Sequence, residues 1–243
     1  MSKPLFLVSE VPSGELCTLD GPEGHHAATV QRLRVGEELI LADGRGATAS
    51  AVVTAVGRGT LSVRVVAREY APPHAVRLVV AQGIAKGDRG ELAVQAMTEV
   101  GVDEIVPWAA ARSVVRWREE RGERSRQRWV DTAREAAKQA RRPWLPVVAE
   151  AASTTVLAAR LRSAALGLVL HESATAPLAA VELPAAGEVV LVIGPEGGVA
   201  SEELAAFEAA GARAVRLGPE VLRTSTAGVA ALAVLSARLG RWA

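Results

Sequence analysis

Two turns of similar composition are the segments best suited to hold a ligand. Ile193-Gly194-Pro195-Glu196-Gly197-Gly198 follows the apolar run Val189 to Ile193, and Leu217-Gly218-Pro219-Glu220-Val221-Leu222 follows Ala214 to Leu217. Glycine at a strand end lets a ligand approach the main chain, and the uncovered amide and carbonyl groups can read a nucleoside without charged side chains. Neither turn is a common phosphate motif, because Gly-x-Gly-x-x-Gly is missing and so is the Lys-Ser/Thr end of a phosphate loop. A plain strand-to-helix turn also accounts for an isolated Gly-Gly. A third Gly-Pro-Glu, at Gly21 to Glu23, shows that the triplet alone carries little information.

A basic stretch from Arg112 to Arg142 is the second feature with chemical consequences, although Glu119, Glu120 and Glu123 dilute its first part. A solvated helix face and a phosphate-contacting surface both account for it. Trp117, Trp129 and Trp144 are interleaved with these charges, and either stacking on unpaired bases or burial explains them. His171, at the end of the run Leu166 to Leu170, reads as a hydrogen-bonding group of a strand-end loop. Four histidines and the single Cys17 show no zinc-like spacing, so no metal is expected.

The elements that must position these residues change character near Tyr70. Before it, short alternating runs such as Leu61, Val63 and Val65 between Ser62 and Arg64 read as half-buried antiparallel strands. Turn signals at Pro12 to Gly14, Asp43 to Gly46 and Gly57 to Gly59 divide them, and His25 to Arg34 reads as a short helix. A small β-barrel domain over residues 1–70 is expected. The Tyr70-Ala71-Pro72-Pro73-His74 segment reads as a stiff linker.

Residues 71–243 alternate apolar runs with helical segments: Arg77 to Gln82, Glu104 to Pro107, Leu145 to Ala149, Leu166 to Leu170, Val189 to Ile193 and Ala214 to Leu217. That rhythm predicts an α/β domain with a parallel sheet covered on both faces. Ligands then bind beyond the carboxyl ends of the strands. Ser201 is expected to cap the helix after Gly198, and the small residues Ala227, Gly228, Ala230 and Ala231 mark a helix that packs closely on another element or another subunit.

The 243 residues are 49% hydrophobic and 23% charged, with a net charge of +1, which excludes global disorder and leaves nucleic-acid binding to the distribution of charge. One cysteine forbids an intrachain disulfide. Leu5 to Val8 is too short for a signal-peptide core, and no run reaches the length of a membrane span, so a cytoplasmic protein without membrane association is expected.

The two loops and their spacing resemble the carboxyl-terminal signature of the SPOUT methyltransferases, most closely the bacterial family that methylates N3 of a uridine in 16S ribosomal RNA. Gln82-Gly83 with Lys86, the helix up to Glu99-Val100-Gly101, and Glu135, Gln139, Arg142 and Pro146 are similar to that family's motifs. So are His26, Val30, Arg32, Gly36 and Asp43-Gly44, which resemble its RNA-binding barrel, similar to PUA domains. The resemblance implies a SPOUT-type parallel sheet ending in a trefoil knot, a topology that periodicity would never suggest. It also implies S-adenosylmethionine as cofactor, held by Leu170, His171 and Glu172, by Gly194, Pro195, Glu196, Gly197 and Gly198, and by Leu217, Gly218, Val221 and Leu222.

On the same resemblance the protein is a homodimer with its cleft at the subunit interface. Its RNA substrate is 16S ribosomal RNA, free or within the small ribosomal subunit, contacted by His26, Arg32, Arg34, Arg112 and Arg142. Arg223, beside the implied donor site, is the expected catalytic residue, a fixed cation able to stabilise a uracil deprotonated at N3. Ser225 and Glu220 stand where members of the family commonly carry an acidic and a basic residue. The alternatives are methylation of another RNA nucleotide and a non-catalytic RNA-binding protein of the same fold. A nucleotide-binding oxidoreductase is disfavoured by the missing glycine fingerprint.

Overall fold

The computed structural model describes residues 3–242 and divides into two compact units. The first comprises the chain up to Pro73 together with Ala137–Leu145, and the second comprises His74–Ala136 and the chain from Pro146 onward.

In the first unit, β1 (Leu5–Leu7), β2 (Leu16–Leu19), β3 (Glu38–Ala42), β4 (Ala47–Gly57) and β5 (Thr60–Tyr70) form one sheet in the order β1-β3-β4-β5-β2. The expected antiparallel pairing holds except at one edge, where β1 runs parallel to β3. Residues on one face of β3, β4 and β5, including Leu39, Leu41, Val53, Leu61 and Val63, bury against Phe6, as period-2 alternation demands. Asp43 forms the turn before β4, its Oδ1 accepting from the N–H groups of Arg45 (2.7 Å) and Ala47 (3.1 Å). The helical segment begins earlier than expected, with α1 (Gly21–His25) running into a wider turn over His26–Val30. Pro22 explains the early start, since its fixed φ suits the first helical turn. Cys17 is half-buried, and burial, followed by the charge of Asp20, raises its thiol pKa and disfavours the reactive thiolate.

Ala137–Leu145 joins this unit through a buried ion pair. Lys138 Nζ lies 3.0 Å from Glu23 Oε1, with only 6% and 13% of the two side chains exposed. Trp144 packs on Gly46 and donates its indole N–H to the Ala71 carbonyl (2.8 Å), so it is a structural residue here.

The second unit is a six-stranded, all-parallel sheet. Its strands are β6 (Val76–Gly83), β7 (Glu104–Trp108), β8 (Val147–Val148), β9 (Leu166–Leu170), β10 (Gly187–Ile193) and β11 (Arg213–Val215), in the order β11-β9-β10-β6-β7-β8. The run expected over Leu145 to Ala149 pairs only at Val147 and Val148, because Leu145 packs against Gly44 in the first unit. The run expected over Ala214 to Leu217 is likewise shorter, ending at Val215. Alternate residues feed two cores. Val189, Leu191 and Ile193 face α2 (Arg89–Glu99), α3 (Glu119–Gln139) and α6 (Thr224–Arg238), whereas Val190 and Val192 face α4 (Thr154–Ser163) and α5 (Ser201–Ala209). Trp108 and Phe207 meet edge to face in the second core, 5.3 Å between ring centroids.

Trp129 is 2% exposed and packs edge to face on Trp117 (4.9 Å), which removes it as a base-stacking platform. The small residues of α6 have an intrachain explanation: a Cβ on Gly228 would lie 2.6 Å from Met97 Sδ of α2. At the amino ends of the strands, Glu104 and Glu188 share Arg160 and Arg77 in a partly buried cluster. Burial pushes the Glu104 carboxyl up, but hydrogen bonds and charge from Arg160 and then Arg77 outweigh it, leaving the group below the ordinary range. No helix among the described residues is long and apolar enough to cross a membrane.

Candidate active site

The strand order explains why distant loops meet. Because β11, β9, β10 and β6 are neighbours, the segments leaving the carboxyl ends of β9, β10 and β11 converge although they are separate in sequence. They enclose a cavity of about 510 Å³, within the usual range for small-ligand sites. Leu170, His171 and Glu172, Gly194 through Gly198, and Leu217, Gly218, Val221 and Leu222 all line it, as does Arg223. The structure thus brings together every residue that the sequence reading placed around a cofactor. Arg89, Arg112, Arg216 and Thr224 join them on the wall.

The loop after β10 is held from several sides. Gly83 lies under it, where a Cβ would stand 2.5 Å from the Pro195 nitrogen, so only glycine permits that approach. The Gly194 carbonyl accepts a hydrogen bond from the Thr224 hydroxyl (2.8 Å), which in turn accepts from Gln82 Nε2 (2.8 Å). This buried chain ties the end of β6, the loop after β10 and the first turn of α6. Arg112 Nη1 donates to the Gly197 carbonyl at 3.0 Å, so the arginine expected as an RNA contact is also a brace of this loop. Glu196 Oε1 accepts from the Lys86 N–H and from Arg89 Nη1, both at 3.1 Å. Burial pushes its carboxyl up, and its own and the Lys86 backbone N–H groups, with Arg89, more than offset that, so it stays below the ordinary range.

Ser201 is not the cap of α5. Ala200 occupies that position, and the Glu203 carboxylate reaches back to the Ala200 N–H (3.2 Å). Glu203 is 6% exposed, and its other oxygen accepts from the Ala111 N–H and the Thr154 hydroxyl, both at 2.8 Å. His171 accepts at Nδ1 from the Ser173 N–H (3.3 Å) and lies 2.8 Å from the Ser173 hydroxyl, consistent with a loop-shaping group.

Arg223 caps α6 through its backbone, and its exposed guanidinium has no acceptor among the described residues. Arg216 resembles it: its backbone is fixed by hydrogen bonds with Ala176 and Leu178 while its side chain is exposed at the cavity. Sequence reasoning missed Arg216, although it is the first residue past β11 and the strand-end rule points there. No sequence signal marked Arg89, which only the fold brings to the loop.

The RNA-contact candidates divide between the units. His26, Arg32, Arg34 and Arg142 belong to the first and Arg112 to the second. His26 is half-buried, edge to face with Phe6 at 6.1 Å, whereas Arg32 and Arg34 are exposed. Arg32 stands at φ +56°, a left-handed conformation that costs energy for a side chain with a Cβ. Arg142 is half-buried at the end of α3, where its N–H bonds the Ala137 carbonyl (2.9 Å). Among the described residues no group of three or more His, Cys, Asp or Glu side chains is placed to hold a metal ion.

An apolar wall from Leu170, Ile193, Leu217 and Leu222, an uncovered glycine-rich main chain and the carboxylates Glu172 and Glu220 suit a cationic nucleoside-type cofactor. Known proteins give the chain its class. Residues 72–236 match the RNA methyltransferase domain family, and residues 19–66 match the RNA methyltransferase PUA domain. Over 243 aligned residues the chain is 45% identical to ribosomal RNA small subunit methyltransferase E of Mycobacterium bovis, covering 98% of this chain and 93% of that one. It superposes on the Neisseria gonorrhoeae ribosomal RNA small subunit methyltransferase E bound to S-adenosyl methionine with a TM-score of 0.84, at 26% identity over 98% of both chains. A Legionella pneumophila structure in complex with the cofactor SAM gives 0.83 at 29% identity, again over 98% of both. The chain belongs to the ribosomal RNA small subunit methyltransferase E family.

Proposed function

We propose that this protein transfers a methyl group from S-adenosylmethionine to N3 of a specific uridine in 16S ribosomal RNA. The observation that carries the reading is the cavity at the carboxyl ends of β9, β10 and β11, lined by all the residues expected around a cofactor. S-adenosylmethionine, when bound, supplies an electrophilic methyl carbon on a sulfonium. Leu170, Leu217 and Leu222 give an apolar surface for its nucleoside, His171 shapes the first loop, and Gly194 through Gly198 with Gly218 offer main-chain groups. Glu172 and Glu220 place negative charge near a cationic ligand, while Glu196 and Pro195 keep the central loop in shape and Val221 closes the third.

Arg223 is the catalytic residue in this reading. Uridine N3 is protonated at neutral pH, and a guanidinium that never titrates favours the anionic ring as the proton leaves. His26, Arg32 and Arg34 contact RNA on the PUA-like domain, residues 1–70, and Arg112 and Arg142 do so from within residues 71–243, the methyltransferase domain. Arg142 sits in the segment that packs with the first unit, which fits an RNA surface continuous with that domain.

The trefoil knot belongs to the same reading. After β10 the chain crosses to the sheet edge at β11 and then returns as α6, which packs on α2, β6 and β10. A cytoplasmic homodimer completes the picture. Val221 is 74% and Leu222 40% exposed on the third loop, apolar surface that a second copy would cover beside the cavity. The test is methylation of free 16S RNA and of small ribosomal subunits with labelled S-adenosylmethionine, followed by nucleoside analysis. N3-methyluridine is expected. Label on another base, or none in either substrate, overturns the reading.

A further inference from the structure

Sharing no lining residue with the donor cavity, an open groove of the second unit is formed by Val115 to Arg118 and the first turns of α3. Five arginines line it, Arg116, Arg118, Arg121, Arg124 and Arg128, with Trp117, Ser125, Gln127 and Val115 and no acidic residue. The sequence hides this, because Glu119, Glu120 and Glu123 interrupt the run. The fold separates them: Glu123 is engaged by Arg126 (2.6 Å), which turns away to the Val148 carbonyl. Neutralisation inside the groove is slight. Glu120 meets Arg124 only at 3.8 Å with 92% of its side chain exposed, and Glu91 meets Arg128 at 3.7 Å; contacts so loose and wet contribute little. Arg118 and Arg121 have no acceptor among the described residues.

We infer that this groove is a docking site for the phosphate backbone of the RNA substrate, distinct from the site that takes the reacting nucleotide. The inference rests on the methyltransferase reading for the identity of the nucleic acid. Guanidinium groups present planar donor forks that match phosphate oxygens, and five without internal acceptors of comparable strength are poised for external anions. From Arg121 to Arg128 the helix advances about 10 Å at 1.5 Å per residue. That is long enough for the row to meet more than one successive phosphate of a single strand. A repeated anion over that length is what a nucleic-acid backbone offers.

The experiment measures binding of a 16S RNA fragment over a salt series for the whole protein and for Arg118→Ala/Arg121→Ala/Arg124→Ala. Each lost phosphate contact removes about 0.7–0.9 from the slope of log affinity against log salt. A slope shallower by about 2, with affinity lower by tenfold or more at low salt, is expected. The triple Lys variant should recover most of the slope, since it keeps charge while losing the fork. S-adenosylhomocysteine binding, unchanged in both variants, checks that the unit is folded. An unchanged slope in the folded triple Ala variant overturns the inference. So does an unchanged RNA slope combined with lost binding to poly-glutamate, which would assign the groove to an acidic protein. If the wild type binds RNA through the groove yet methylates no uridine, the docking site stands and the proposed reaction falls.

Discussion

Replacing Thr224 by valine removes one hydroxyl and almost no volume, and the consequence can be worked out from its partners. The hydroxyl donates to the Gly194 carbonyl and accepts from Gln82 Nε2, both at 2.8 Å, with Thr224 7% and Gln82 0% exposed. Two polar groups would lose their partner, each costing about 1–3 kcal/mol when left buried. Gln82 Nε2 keeps a longer bond to the Gly83 carbonyl at 3.3 Å, which places the total nearer about 2–4 kcal/mol. A domain with the usual margin of about 5–15 kcal/mol survives that, so the variant should fold. Thr224→Ser keeps both hydrogen bonds and loses a methyl group, for about 1 kcal/mol. Because Gly194 opens the central loop, the valine variant should also bind S-adenosylhomocysteine roughly tenfold more weakly, about 1.4 kcal/mol, while serine stays close to wild type. Urea unfolding and calorimetry on the three proteins measure both effects. Equal stability of valine and wild type within about 0.5 kcal/mol, or serine as damaging as valine, would refute the idea that this hydroxyl holds the loop.

Gly197→Val should abolish S-adenosylhomocysteine binding with the far-ultraviolet dichroism preserved, because a Cβ there lies 2.9 Å from Arg112 Cβ and would displace the loop from its brace; unchanged affinity would put the donor elsewhere. Arg223→Ala should lower single-turnover methylation by about 10²- to 10³-fold with donor affinity intact and partial recovery at higher pH, where more uridine ionises unaided; loss cured by more RNA would make Arg223 a phosphate anchor. Glu104→Gln breaks a partly buried cluster and should cost about 2–3 kcal/mol at pH 7, between exposed and fully buried pairs. Since the Glu104 pKa is depressed in the folded state, its contribution is present above the ordinary carboxylate value near 4.3 and lost as pH falls through the folded value. The acid limb of stability against pH should therefore be shallower in the variant, and an identical limb would show that the cluster does not govern it.

What was legible in the sequence follows from the range over which each signal acts. Two of the three loops could be read because glycine and proline punctuate continuous apolar runs and ligands bind beyond the carboxyl ends of such strands, whereas Leu170-His171-Glu172 has neither residue and was placed at the cofactor by the family resemblance alone. The bond between Gln82 and Thr224 spans 142 positions and leaves no local trace. Arg89 reaches Glu196 across 107 for the same reason. Ala137–Leu145 follows directly on a methyltransferase-unit helix in sequence, and only long-range contacts, the buried Lys138–Glu23 pair, Trp144 on Gly46 and Leu145 on Gly44, show that it packs with the first unit. The small residues of α6 fit an intersubunit contact and an intrachain one equally in sequence, and only the fold shows that Gly228 is required by Met97 of α2. The arginine groove is the instructive case, because its signal was present in the order of residues. At 3.6 residues per turn, Arg121, Arg124, Ser125 and Arg128 fall within about 100° of one another on the helix, while Glu123 falls roughly opposite. Read as composition, acids and bases cancel; read at the helical period, they separate into a basic face and a face that neutralises itself. Charge counted along a chain therefore understates what a helix can present to a polyanion, and net charge near zero is no argument against such a surface.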